Sequence, residues 1–132
     1  HNDPEGAVAE IVARFHAIQS RCDRVVIVGS DYTDVGTPSE LSYNARIAAN
    51  LSAPMVLAIK AIDRSPEEMH GLAEGLIAEV TAAHATPVAL VANRCDPDRL
   101  DEIRDQLHDY EAAGGRFIVP LPYPRIVGGA EG

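Results

Sequence analysis

The chain has 132 residues, 46% of them apolar, and a formal net charge of -9. That size suits one globular domain that buries roughly two-thirds of its unfolded surface, while the negative charge argues against nucleic acid or an anionic membrane surface as partner. No run approaches the roughly 18 apolar residues of a membrane span, no basic-then-apolar signal segment opens the chain, and Cys22 and Cys95 form no C-x-x-C pair, so the expectation is a cytoplasmic protein with two reduced thiols.

Asp3-Pro4-Glu5 opens the first element. The Asp3 carboxylate can accept orphan amides of a first helical turn, and proline at the first helical position has no amide to satisfy. Val8, Ile11, Val12, Phe15 and Ile18 then recur at helical spacing. The unbroken apolar run Val25, Val26, Ile27, Val28 reads as a strand; it stops at Gly29, and Ser30, Asp31, Tyr32, Thr33 and Asp34 follow as a turn rich in carboxylates. Thr37-Pro38-Ser39-Glu40 repeats the cap, with Glu40 placed to complete a capping box and Leu41, Ala45, Ala48 and Leu51 directed to the core.

Residues 55–59 form the second apolar run, followed by a polar loop from Lys60 to Ser65. Ser65-Pro66-Glu67-Glu68 is another capping box, and Met69, Leu72, Leu76, Ile77 and Val80 make the stripe behind it. Residues 88–92 are the third run. After the loop 93–96, Asp96-Pro97-Asp98 starts a last helix with Leu100, Ile103, Leu107 and Tyr110 on one side and Gly114-Gly115 as its stop. Residues 117–119 are the fourth run. The domain is expected over 1–127, with 128–132 as linker or frayed tail.

None of the four runs alternates polar with apolar residues, so each is expected to be covered on both faces, as parallel strands are. Helices alternate with strands throughout. The expected fold is therefore α/β, a layered parallel sheet with flanking helices joined by right-handed crossovers.

In such sheets ligands bind beyond the carboxyl ends of the strands. The loops there, 29–37, 60–65, 93–96 and 120–129, supply the candidate ligand-binding residues Asp31, Asp34, Lys60, Arg64, Asn93 and Arg94. Lys60 is the only lysine of this acidic chain. Two readings are open: the cations compensate a phosphate or carboxylate ligand, or the charges solvate the loops and pair with one another.

Asp31 stands where a nucleotide-hydrolysing domain keeps a magnesium-binding acid. That role needs G-x-x-x-x-G-K-[ST] to hold the phosphates, and these residues do not contain it. Neither G-x-S-x-G nor G-x-G-x-x-G occurs, and no H-x-x-H or H-E-x-x-H spacing points to zinc. His16, His70, His84 and His108 are all expected on helices rather than in strand-end loops. No catalytic residue, metal ligand or cofactor is expected.

The stretch CDRVVIVGSDYTDVGTPSELSYNARIAANLSAPMVLAIKAIDRSPEE, and SELSYNARIAANLSAPMVL within it most of all, resembles the N-terminal domain of long, multidomain bacterial phosphate acetyltransferases. PVALVANRCDPDRL continues the likeness and FIVPLPYP resembles the strand that leaves this domain, so it runs from about Val8 to Pro124. That domain is in turn similar to dethiobiotin synthetase, a P-loop fold in which an Asn after the strand equivalent to 88–92 contacts adenine; the resemblance puts Asn93 in that place.

The likeness has two departures. The first strand, phosphate loop and helix of the P-loop fold would precede His1, and the acetyltransferase domain would follow Gly132. The resemblance implies an internal piece of a longer enzyme that reversibly converts acetyl-CoA and phosphate into acetyl phosphate and CoA. This piece would be its accessory, regulatory and assembly domain, with a small-molecule metabolite as effector and the parent's C-terminal acetyltransferase domain as partner. The alternative is a fragment of an ATP-dependent carboxylase or ligase of the dethiobiotin-synthetase kind. A missing strand would leave its neighbours unpaired, and self-association is expected from that open edge.

Overall fold

The structure, a computed structural model, describes residues 3–30, 39–114 and 117–122. The chain divides into two compact units, His1–Met55 with Glu79–Thr86, and Val56–Ala78 with Pro87–Gly132.

In the first unit, helix α1 spans Pro4–Gln19. Its start is the expected one: Asp3 Oδ1 accepts from the Gly6 amide at 2.9 Å. Of its apolar stripe only Val8 is fully buried, while Ile18 is exposed. Helix α2, Ser39–Asn50, lies against α1 and buries Leu41 and Ala45. The cap expected at Thr37-Pro38 lies outside the described residues. Ser42 Oγ donates to Glu79 Oε1 at 2.8 Å, tying α2 to the last turns of the following helix.

Residues 25–28 correct the sequence reading. No strand forms there among the described residues; Val26 and Val28 are 89% and 90% exposed and Ile27 is 47% exposed. An all-apolar run reports what a strand tolerates on its two faces. It does not supply the neighbouring strands that pairing and cover require.

The sheet from Val56 and Pro87 onward belongs to the second unit, and the last turn of the helix between its first two strands, residues 79–82, to the first. Strand β1 spans Pro54–Lys60, helix α3 Pro66–Ala82, strand β2 Thr86–Cys95, a 3-10 turn Pro97–Arg99, helix α4 Leu100–Gly114 and strand β3 Phe117–Pro122. The strands lie in the order β1-β2-β3 as a parallel sheet, so the chain is α/β as expected, with α3 and α4 as the crossovers. Helix α4 packs on β3. Leu57, Ile59, Met69, Leu90, Ala92, Cys95, Ile103 and Leu107 form the core of this unit.

Cover on both faces is not general, which is a second correction. The edge strand β1 alternates, burying Leu57 and Ile59 while Val56 is 60% exposed. In the central strand β2, Leu90 and Ala92 are fully buried and Val88, Ala89 and Val91 half-buried. Val119 and Leu121 on β3 remain exposed. Position in the sheet decides how far each apolar run is covered.

Helices α2 and α3 end alike. Ser52 and His84 take left-handed φ values of 51° and 66°. The Ser52 amide donates to the Ala49 carbonyl at 3.1 Å and the Ala53 amide to Ala48 at 2.9 Å; the His84 amide donates to Thr81 at 2.9 Å and the Ala85 amide to Val80 at 3.2 Å. Both are Schellman caps built without glycine. His84, expected on a helix, therefore sits just past one, whereas His16, His70 and His108 are helical.

Candidate ligand site at the carboxyl ends of the strands

Strand β1 ends at Lys60, exposed, while Ala61 turns back into the core. The Ala61 amide donates to the Asn93 carbonyl at 2.7 Å, which fixes the end of β1 beside the end of β2. A β-turn follows, closed by the Arg64 amide donating to the Ala61 carbonyl at 3.2 Å, with Asp63 at φ 62°. The Arg64 carbonyl accepts Arg99 Nη1 at 3.1 Å, and Arg99 Nε donates to Glu102 Oε2 at 3.2 Å. Arg99 thus straps the 60–65 loop to the start of α4.

The end of β2 carries a bulge. Ala92 faces Pro120 of β3 and Cys95 faces Pro122, so three steps on β2 match two on β3. Asn93 and Arg94 are consequently both exposed between buried Ala92 and Cys95. Arg94 takes the left-handed φ of 56°, and Asn93 Oδ1 accepts its amide at 3.0 Å. Bulges of this kind turn side chains out of the sheet's alternation. Beneath the bulge, Cys95 Sγ donates to the Ala92 carbonyl at 3.1 Å. Burial pushes the Cys95 thiol up, opposed by a backbone hydrogen bond from Leu121 and by the Arg99 charge.

The sequence-expected residues therefore divide into two groups. Lys60, Arg64, Asn93 and Arg94 come together on neighbouring strand ends, linked by the Ala61–Asn93 bond. Asp31 and Asp34 lie outside the described residues. The ion pairs among the described residues are Arg14 with Glu10 and Arg99 with Glu102. Neither of these pairs includes Lys60, Arg64 or Arg94.

The helix starts at this edge are filled by the protein's own acids. Ser65 Oγ accepts the Glu68 amide at 3.1 Å and Glu68 Oε2 accepts the Ser65 amide at 3.3 Å, a complete capping box. Asp96 Oδ1 accepts the Asp98 amide at 3.0 Å. Helix N-termini bind phosphate through free amides and the positive end of the dipole. Here the Ser65 hydroxyl holds the Glu68 amide of α3 and the Asp96 carboxylate holds the Asp98 amide of the 3-10 turn before α4, and Glu67, Asp101 and Glu102 add negative charge in the first turns of α3 and α4. An anion at this edge would have Lys60, Arg64 and Arg94 to hold it, against the negative charge of the helix first turns.

Two shallow recesses, of about 390 and 420 Å³, lie in the first unit. One is lined by Ser52 and His84 with their neighbours, the other by Glu5, Val8, Val12, Arg46 and Asn50; neither holds a candidate residue. Among the described residues no cluster of three or more His, Cys, Asp or Glu could hold a metal ion, and no helix is long and apolar enough to cross a membrane. Sequence reading missed Arg99, whose reach across 35 positions leaves no local signal.

A family model described as an AAA domain matches residues 2–120 of the chain. No solved structure matches it.

Proposed function

Because this chain belongs to the AAA-domain family, a P-loop-like group that includes dethiobiotin-synthetase-like proteins, we propose that it serves as an accessory, regulatory domain of a phosphate acetyltransferase and performs no catalysis of its own. The parent reaction would be the reversible conversion of acetyl-CoA and phosphate into acetyl phosphate and CoA. The parentage is supported by the likeness of SELSYNARIAANLSAPMVL and PVALVANRCDPDRL to that enzyme's N-terminal domain.

One observation carries the non-catalytic part of the reading. Hydrolysing a nucleoside triphosphate requires a backbone cradle at a helix start and a lysine within it. In these residues the start of α3 is closed by the Ser65–Glu68 capping box, the 3-10 turn before α4 is capped by Asp96, and the lone lysine ends a strand. These residues do not fit a catalytically gripped triphosphate. The exposed cations at the ends of β1 and β2 suit a smaller anionic effector held reversibly, with Asn93 as a polar contact beside them.

Thermal shift against nucleotides, NADH, pyruvate and phosphoenolpyruvate tests the effector, since any ligand that binds the folded state raises the melting point by mass action. Stabilisation by one of these anions supports the reading. Acetyl phosphate formation by the 132 residues alone would overturn it.

The family membership also favours a second reading, a piece of an ATP-dependent carboxylase or ligase of the dethiobiotin-synthetase kind. ATP turnover by a longer chain that carries a phosphate loop would select it. Partners are proposed on both readings. Strand β1 is an edge of the sheet with Val56 exposed, and Val26 and Val28 are exposed nearby in sequence to Gly29, so copies of the chain are expected to associate. Light scattering that shows a monomer at high micromolar concentration would count against this.

A further inference from the structure

Residues 25–30 have the composition of a strand without its pairing, yet the end of the segment is held. Asn44 Oδ1 accepts the Ser30 amide at 3.4 Å and the Ser30 hydroxyl at 3.1 Å, while Asn44 Nδ2 donates to the Ser30 carbonyl at 3.2 Å. Engaging the N–H and C=O of one residue together is what a neighbouring strand does in a hydrogen-bonded antiparallel pair. A carboxamide carries the same acceptor and donor as a peptide group. Gly29 allows the approach, because a Cβ there would stand 3.0 Å from Asn44 Nδ2. The stem of Asn44 is fixed by α2, where the adjacent Ala45 is fully buried. Upstream, Val26 and Val28 are far more exposed than Ile27 between them, the alternation of an extended backbone with one side turned outward.

We propose that Asn44 is a positioning residue that stands in for a neighbouring strand at Ser30, holding residues 25–30 extended and presenting Val26 and Val28 outward. The chemistry demands both ends of the carboxamide. Aspartate, nearly the same shape, keeps the acceptor but sets a carboxylate oxygen against the Ser30 carbonyl. A residue that merely covers the helix surface would tolerate that exchange.

The test is NMR on the whole chain, reading the backbone carbon shifts of residues 25–29 and the exchange rate of the Ser30 amide. Asn44→Ala and Asn44→Asp should both move residues 25–29 toward random-coil shifts and speed Ser30 exchange several-fold. Ser30→Ala, which loses the hydroxyl and keeps the peptide, should resemble the wild type. Gly29→Ala, whose Cβ would stand 3.0 Å from Asn44 Nδ2 and displace the carboxamide without a substitution in α2, should loosen the segment in the same direction as Asn44→Ala and to a smaller extent, and covers the case in which a position-44 variant fails to fold. Unchanged shifts in Asn44→Ala, wild-type behaviour of Asn44→Asp, or loosening in Ser30→Ala equal to that of Asn44→Ala would each overturn the proposal.

Discussion

The two ends of β1 and β2 use the same rare backbone conformation for different purposes. Where the strands begin, left-handed Ser52 and His84 close helices, and each cap satisfies carbonyls that would otherwise be orphaned. Where the strands end, left-handed Asp63 and Arg94 close nothing helical: one sits in a tight turn, the other in a bulge, and both carry charge into solvent. A non-glycine residue in this region costs about 1–2 kcal/mol. At the first end the cost is offset by cap hydrogen bonds; at the second it is retained where charged side chains are displayed, the usual place for stored strain.

The largest effect tests what joins the two ends. Leu90 lies fully buried midway along β2, and Leu90→Ala should destabilise by about 3 kcal/mol in urea unfolding. A much smaller loss would mean that the strand does not couple them. Next come the charges. Arg94→Ala or Lys60→Ala should weaken binding of whichever anion stabilises the chain by about tenfold each, in line with about 1.5 kcal/mol for a charge-assisted hydrogen bond. Calorimetry should find no such loss for substitutions at Ser52 or His84.

Removing a helix start is the third test. Ser65→Ala, which removes the hydroxyl that accepts the Glu68 amide and leaves the Ser65 amide to Glu68 Oε2 in place, should cost about 1 kcal/mol of stability. The sharpest contrast uses glycine at all four left-handed positions. Each substitution should raise stability by about 0.5–1 kcal/mol as strain is relieved, less the added freedom of the unfolded chain. Among them only the exchange at Arg94 should reduce anion binding, since Asp63→Gly removes a negative charge from the same edge. Equal effects on binding at both ends would erase the distinction.

The smallest effect concerns Cys95. Its thiol ionises above the ordinary thiol range in the folded protein. The neutral thiol therefore contributes stability that is complete below that range and is lost as pH rises through it. Wild type should lose more stability than Cys95→Ala between about pH 8 and pH 10, as measured by unfolding at each pH.

Much of the fold was legible because its signals are local. Asp3, Ser65 and Asp96 announced their helices through side chains that reach only two or three residues ahead. The run at 88–92 became the core of the central strand because a neighbour lies on each side of it. The identical signal at 25–28 failed for want of such neighbours. For the candidate site, the residue types at the strand ends could be read, but their geometry could not. The bulge after Ala92 follows from a mismatch with β3, a partner that enters more than 20 residues later, and the strap from Arg99 to Arg64 spans two elements.

The bulge also makes residue number, as distinct from residue identity, a variable at this edge. Three steps of one strand are fitted to two of the next, so β2 carries one residue of slack between Ala92 and Cys95. Deleting Arg94 would take up that slack and let the ladder run straight, preserving Cys95 in its buried seat while withdrawing a cation from the rim. Adding a residue would have no such refuge. The protein should therefore tolerate shortening there better than lengthening, an asymmetry that scanning single-residue deletions and insertions through 92–95 would reveal.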